Sequence, residues 1–199
     1  MLSSHGRLMA RESSKPGALS REAYLEQLMK ECTHPATSAD AKEQCLAHLA
    51  NFSYDPINFV YFLRLNTADM FVDCLDEALP AATSQGTHSH QGTMARLAMQ
   101  GICNVAPDPR FQKIICENDA IPLIVRATNA GDAVTMAAAL ATLFFLLDAS
   151  PDMVSPPVLR TNTAILVRVK ECSLHEQAVV RNTAFAFLTR QREIQDEEK

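Results

Sequence analysis

Leu49-Ala50-Asn51-Phe52-Ser53-Tyr54-Asp55-Pro56 returns, altered but in register, as Ile102-Cys103-Asn104-Val105-Ala106-Pro107-Asp108-Pro109. Each copy closes an apolar helical run on Asn and reaches Asp-Pro after three further residues. Asn104 follows Asn51 by 53 positions, and Asp108 follows Asp55 by the same 53. The match continues, with Phe62-Leu63 falling on Ile115-Cys116 and Met70-Phe71 on Leu123-Ile124. Repetition on this scale constrains the fold more than any local motif. Units of roughly 20 to 50 residues cannot bury an apolar face alone, so they stack into a solenoid.

The rest of the chain falls into place around that repeat. Residues 1–19 are rich in Ser, Gly and basic side chains and have no hydrophobic period, which predicts a disordered tail. Tyr24, Leu25, Leu28 and Met29 fall at helical spacing and predict a capping helix from Ser20. After a break at 33–38, Asp40 with Glu43 three residues on reads as a helix start. Ala41, Cys45, Leu46, Leu49 and Ala50 then form its apolar stripe. Short helices are expected after Pro56 and after Asn66-Thr67. The polar stretch 80–93 reads as an insertion loop that lengthens the first period without changing the stack. A third copy is shorter: Pro151 follows Pro109 by 42, and the same shift lays Thr163–Arg168 on Ile121–Arg126. Its first helix is interrupted by Pro151, Pro156 and Pro157. A last helix from Glu176 to Gln195 and a polar tail at 196–199 close the chain. The expectation is an all-α, right-handed superhelical solenoid of about three units with helical caps, spanning 20–195.

Composition narrows the function. Eighteen Lys plus Arg against 23 Asp plus Glu leave a net charge of −5, the wrong sign for direct grip on a phosphate backbone. The most apolar run, Ala133–Leu147, is shorter than the ~20 residues a spanning helix needs, and it predicts a helix buried on nearly all sides. The N-terminus lacks a signal-like apolar run; its Arg7, Arg11 and serines leave a transit peptide as the alternative to a plain tail. Cysteines at 32, 45, 74, 103, 116 and 172 are scattered, mostly within helical runs, as expected of reduced thiols packed as small hydrophobes.

Asn118-Asp119-Ala120-Ile121-Pro122-Leu123-Ile124-Val125 resembles the armadillo signature that joins the first two helices of a unit. The Leu-Ala-Asn and Ile-Cys-Asn endings resemble that of its third helix. DAKEQ followed by LANFSYDP is similar, more narrowly, to small armadillo-repeat proteins of about this length. The resemblance covers roughly 21–190. It implies an adaptor in the nucleus, partnering an RNA-recognition-motif protein of the minor spliceosome. That pair would engage the capped end of a small nuclear RNA, with RNA contacted through the partner. The alternative is a general peptide- or protein-binding scaffold unrelated to splicing.

The resemblance also places Asn51 and Asn104 where armadillo grooves hold asparagines that bond an extended partner's backbone. An amide suits that role because it both donates and accepts. The same residues could instead satisfy a neighbouring helix end or face solvent. The import receptors pair each such Asn with Trp four residues earlier; here those places are Ala47 and Gln100, and the chain has no Trp. A nuclear-import-signal groove is not expected. Gln44, His48 and Asn51 share a face at i, i+4 and i+7, continued by Gln100 and Asn104, and form either a partner-binding strip or a solvated face. Thr142, Leu146, Phe185 and Leu188 would make the same surface apolar toward the C-terminus, unless they pack against a terminal helix.

Catalytic or metal chemistry has little to stand on. His88-Ser-His90 lacks a third ligand, as do Cys172-x-x-His175 and Cys32-x-His34. Asp73, Asp76 and Glu77 are carboxylates on an exposed helix face. No phosphate-cradling Gly-rich loop, nucleophile elbow or paired-histidine zinc motif occurs. No cofactor, metal, membrane or small-molecule substrate is expected.

Overall fold

The computed structural model describes residues 19–79, 89–118, 120–149 and 155–198. Within them lie eleven helices: α1 Arg21–Thr33, α2 Ala39–Phe52, α3 Phe59–Arg64, α4 Thr67–Ala78, α5 Ser89–Val105, α6 Pro109–Glu117, α7 Ala120–Ala127, α8 Ala133–Leu147, α9 Ser155–Thr161, α10 Thr163–Cys172 and α11 Ala178–Glu197. No strand occurs among the described residues. The expected tail at 1–18 and the start of the expected loop at 80–88 lie outside them.

The Asp-Pro punctuation has a direct cause. Asp55 Oδ1 accepts from the Ile57 amide at 3.3 Å, and Asp108 Oδ1 from the Arg110 amide at 2.9 Å. The proline that follows fills the first helical position, where an amide proton would have no partner. A short 3-10 turn, Pro56–Asn58, leads into α3 in the first unit. Asn66 starts α4 with φ 52 and ψ 40, a left-handed conformation that Asn tolerates better than most residues. Ser20, Ser38, Asp132 and Asn162 cap α1, α2, α8 and α10 with side-chain oxygens.

Three-helix units then stack. Helices α3–α5, α6–α8 and α9–α11 are three complete units, preceded by the partial unit α1–α2. The last helices of successive units pack side by side, α2 on α5, α5 on α8 and α8 on α11, forming one continuous wall. Helix α8 sits inside this wall with neighbours on both flanks. Ten of its fifteen residues are buried, among them Leu140, Leu143, Leu146 and Leu147. Its uniformly apolar sequence is the consequence of that central place. Edge-to-face pairs Phe59–Phe111 at 5.2 Å and Phe62–Phe71 at 6.5 Å fill the space behind it.

Four details depart from the sequence reading. The cap of α2 is Ser38, whose hydroxyl accepts from the Ala41 amide at 3.3 Å; Asp40 stands in the first turn. Ser89–Thr93, expected in the loop, already belong to α5. Their polar composition hid a helix that buried Ala95, Ala98 and Met99 propagate backwards. Third, α9 forms despite Pro156 and Pro157, which occupy its first turn, where proline is tolerated. Finally, α11 runs to Glu197 because Arg190 ties Glu193 and Glu197 to its own turns.

Candidate partner groove

Between α2 and α5 the wall opens into a groove of ≈ 340 Å³, lined by Ala47, Ala50, Asn51, Tyr54, Leu97, Gln100 and Asn104. Its lining carries three amide side chains and no charged group. The repeat therefore brings Asn51, Gln100 and Asn104 to one place, two of them from the second copy and one from the first.

The two asparagines are not equivalent. Asn51 is exposed, and among the described residues its side chain has no hydrogen bond. Asn104 is half-buried, and its Nδ2 donates to the Ala50 carbonyl at 3.1 Å and to Ser53 Oγ at 3.2 Å. Ser53 is fully buried and itself donates to the Ala50 carbonyl at 2.6 Å. Asn104 thus satisfies the end of α2, one of the roles open to it, with both amide protons spent. Only its Oδ1 remains to face a ligand, so it can accept but not donate.

His48 and Gln44 are exposed on α2 but do not line the groove. His48 Nδ1 is hydrogen-bonded to the Tyr24 hydroxyl at 3.1 Å, which turns it toward α1. Tyr24 also meets Phe52 edge-on at 5.9 Å, and the Arg21 guanidinium lies 5.4 Å over the same ring. This cluster seats the N-terminal helix against the edge of the wall.

The four residues singled out for an apolar end separate. Thr142 and Leu146 are 0% exposed and Leu188 is 5% exposed, so all three belong to the core between α5, α8 and α11. Thr142 Oγ1 donates back to the Ala138 carbonyl at 2.9 Å, satisfying a hydroxyl with no water to reach. Helix packing, which closes this part of the wall, explains why periodicity alone placed them on the surface. Phe185 is 51% exposed on α11 but is not part of the groove.

Sequence reasoning missed Tyr54 and Leu97. Tyr54 is 67% exposed at the groove's rim, three residues after Asn51 and so on its side of the helix end. That i, i+3 spacing was the available signal. The candidate metal residues lead elsewhere: His90 Nδ1 pairs with Glu43 Oε2 at 2.8 Å, and His88 lies outside the described residues. Among the described residues no group of three or more His, Cys, Asp or Glu is placed to hold a metal, and no helix is long and apolar enough to cross a membrane.

Comparison with known proteins fits this architecture. A mouse protein, armadillo repeat-containing protein 7, is 32% identical over 180 residues, spanning 90% of this chain and 83% of its own length. The chain belongs to the armadillo-repeat family. No profile of a known protein family matches it. An engineered protein of known crystal structure superposes with a TM-score of 0.64 at 14% identity. It covers 84% of this chain, which spans only 62% of that one, and it speaks for the fold alone. As an armadillo-repeat protein, the chain is a repeat-type protein-binding adaptor.

Proposed function

We propose that this armadillo-repeat protein is a non-catalytic nuclear adaptor whose groove between α2 and α5 holds an RNA-recognition-motif protein of the minor spliceosome. RNA, in this reading, is contacted through the partner, in keeping with the net charge of −5. The observation that carries it is the pairing of Asn51 with Asn104 in one uncharged groove. Asn51 and Gln100 offer donors and acceptors, Asn104 offers an acceptor, and Tyr54 and Leu97 supply apolar contact. Such a lining suits an extended segment that presents its backbone. The splicing assignment draws its support from the resemblance carried by the Asp40–Pro56 block, and the 32% identity to the mouse protein supports the armadillo-repeat family on which it rests.

Affinity purification of the tagged full chain from nuclear extract, followed by mass spectrometry, tests the proposal. Recovery of an RNA-recognition-motif protein of the minor spliceosome is expected, reduced at least tenfold for Asn51→Ala combined with Gln100→Ala. Recovery of no spliceosomal protein would refute the assignment. Recovery unchanged by the double substitution would move the interface off this groove.

A further inference from the structure

The two ends of the wall are unlike. On α1 the exposed side chains are Glu26, Gln27, Lys30, Glu31 and Thr33, with Lys30 paired to Glu26 at 2.8 Å and Gln27 bonded to Glu31 at 3.3 Å. That is the polar outer face with which a terminal repeat meets water. Helix α11, at the other end, packs on α8 and α10. The side it turns away from its buried face carries Ala178, Val179, Asn182, Phe185, Ala186 and Thr189, all exposed and none charged. Val179 and Phe185 are each half exposed.

Helix α8 shows what such a position ordinarily meets. Leu140 and Phe185 each stand eight residues after the capping residue of their helix, Asp132 and Gln177. Leu140, in a helix with wall neighbours on both flanks, is fully buried; Phe185, in a helix with a wall neighbour on one flank, is not. The missing cover is therefore another helix.

We propose that this face docks a second copy of the same chain, with α11 lying antiparallel against α11 about a twofold axis near residue 184. Charge selects both the occupant and its direction. Arg181 is bonded to the His175 and Glu176 carbonyls, and Arg190 to Asp148, Glu193 and Glu197, so these charges are met within the chain. Glu176 and Arg192 are exposed, and among the described residues neither side chain has a bond. They stand eight residues on either side of residue 184. An antiparallel crossing there brings the Arg192 of each copy to the Glu176 of the other and sets Asn182 against Ala186. A parallel pair would set like charge on like. Stacking α11 onto another copy's α1 would put Phe185 against Glu26 and Lys30, so the twofold pair closes in place of an open chain of copies. One helix from each copy is a small interface, and the dimer is correspondingly weak, with Kd on the order of 10 μM. Its consequence is bivalence. The α2–α5 groove belongs to the other end of the wall, so each copy keeps its groove free and a partner with two binding segments is held by both.

Sedimentation velocity of the full chain at low salt, from about 1 to about 200 μM, tests this. The mean mass should rise with concentration from that of one chain toward twice that value and go no further. Phe185→Glu should raise Kd about tenfold or more and leave Tm unchanged, because the side chain it replaces is exposed. Arg192→Glu and Glu176→Arg should each raise Kd roughly fivefold, and the two together should restore it. A chain that stays monomeric throughout, a mass that climbs past the dimer, or dimers untouched by Phe185→Glu would overturn the proposal. Failure of the charge swap to restore Kd would overturn the antiparallel pairing. A monomeric chain whose Phe185→Glu variant loses a protein partner gives this face to a helix of that partner, and overturns self-pairing as well.

Discussion

Arg168 Nη2 donates to the main-chain carbonyl of Thr128 at 2.6 Å, while its Nε donates to Thr128 Oγ1 at 3.1 Å. Forty-two residues earlier, Arg126 Nη2 donates to the Leu79 carbonyl at 3.1 Å. Each arginine reaches from the second helix of one unit to the carbonyl end of the second helix before it. The units are thus joined by a charged cap as well as by apolar packing. Arg168→Ala should cost about 2 kcal/mol, the range for a hydrogen bond from a charged donor. Arg126→Ala should cost less, because Leu79 has no hydroxyl and Arg126 Nε is buried without a partner. Urea denaturation of both variants checks the order, and an equal loss would contradict it.

The unequal asparagines separate stability from binding. Asn51→Ala removes an exposed side chain with no bond among the described residues and should leave stability within about 0.5 kcal/mol. Asn104→Ala deprives the Ala50 carbonyl and Ser53 hydroxyl of a donor and should cost about 1 kcal/mol. Both should weaken the groove-bound partner. Paired denaturation and binding measurements would show the split, and equal stability loss at the two positions would remove the distinction.

Much of this fold was legible because its punctuation is local. Asp55 and Asp108 cap helices through their own backbone neighbours, so Asp-Pro could be read without any tertiary knowledge. The 53- and 42-residue shifts then supplied the stacking order. What escaped depends on contacts across units. Arg126 and Arg168 were aligned by the repeat, but the carbonyls they cap lie on other helices. Asn58 and Gln112 likewise reach back six residues to the Phe52 and Ala106 carbonyls, a device with no simple periodic signature. In the candidate site, periodicity found Asn51, Gln100 and Asn104, because helix faces repeat. It misplaced Thr142, Leu146 and Leu188, because whether a face is open or covered is decided by the next helix over.

Asp108 should give acid unfolding a measurable part of its slope. Side-chain hydrogen bonds from Arg110, then the Arg110 backbone amide and its charge, outweigh burial and hold the carboxyl below its ordinary 3.8. A folded-state pKa below the unfolded one means stability is present above the unfolded value and lost as pH falls through the folded one. The loss therefore runs from about pH 4 downward. Asn caps a helix without titrating but gives up the charged bonds to Arg110, so Asp108→Asn should lower Tm at pH 7 and flatten the Tm–pH curve below pH 4. A variant curve parallel to the parent below pH 4 would contradict this.

Gly101 tests how tightly the wall packs against the second helices. A Cβ placed there would lie 2.5 Å from Cε1 and Cζ of Phe71 and 2.7 Å from Cδ1. Phe71 is 0% exposed and meets Phe62 edge-on, so its ring has nowhere to retreat. On an unpacked helix Gly→Ala would stabilise by about 1 kcal/mol through backbone entropy. Here the clash forces α4 and α5 apart, and overpacking of this kind costs about 1–3 kcal/mol or more. The two effects oppose, and a contact half an ångström inside the 3.0 Å limit makes the steric one the larger. Gly101→Ala should therefore lower stability by roughly 1–2 kcal/mol in denaturation. A companion Phe71→Leu, by removing ring atoms from the contact, should return part of that loss in the double variant, a coupling that two independent sites would not show.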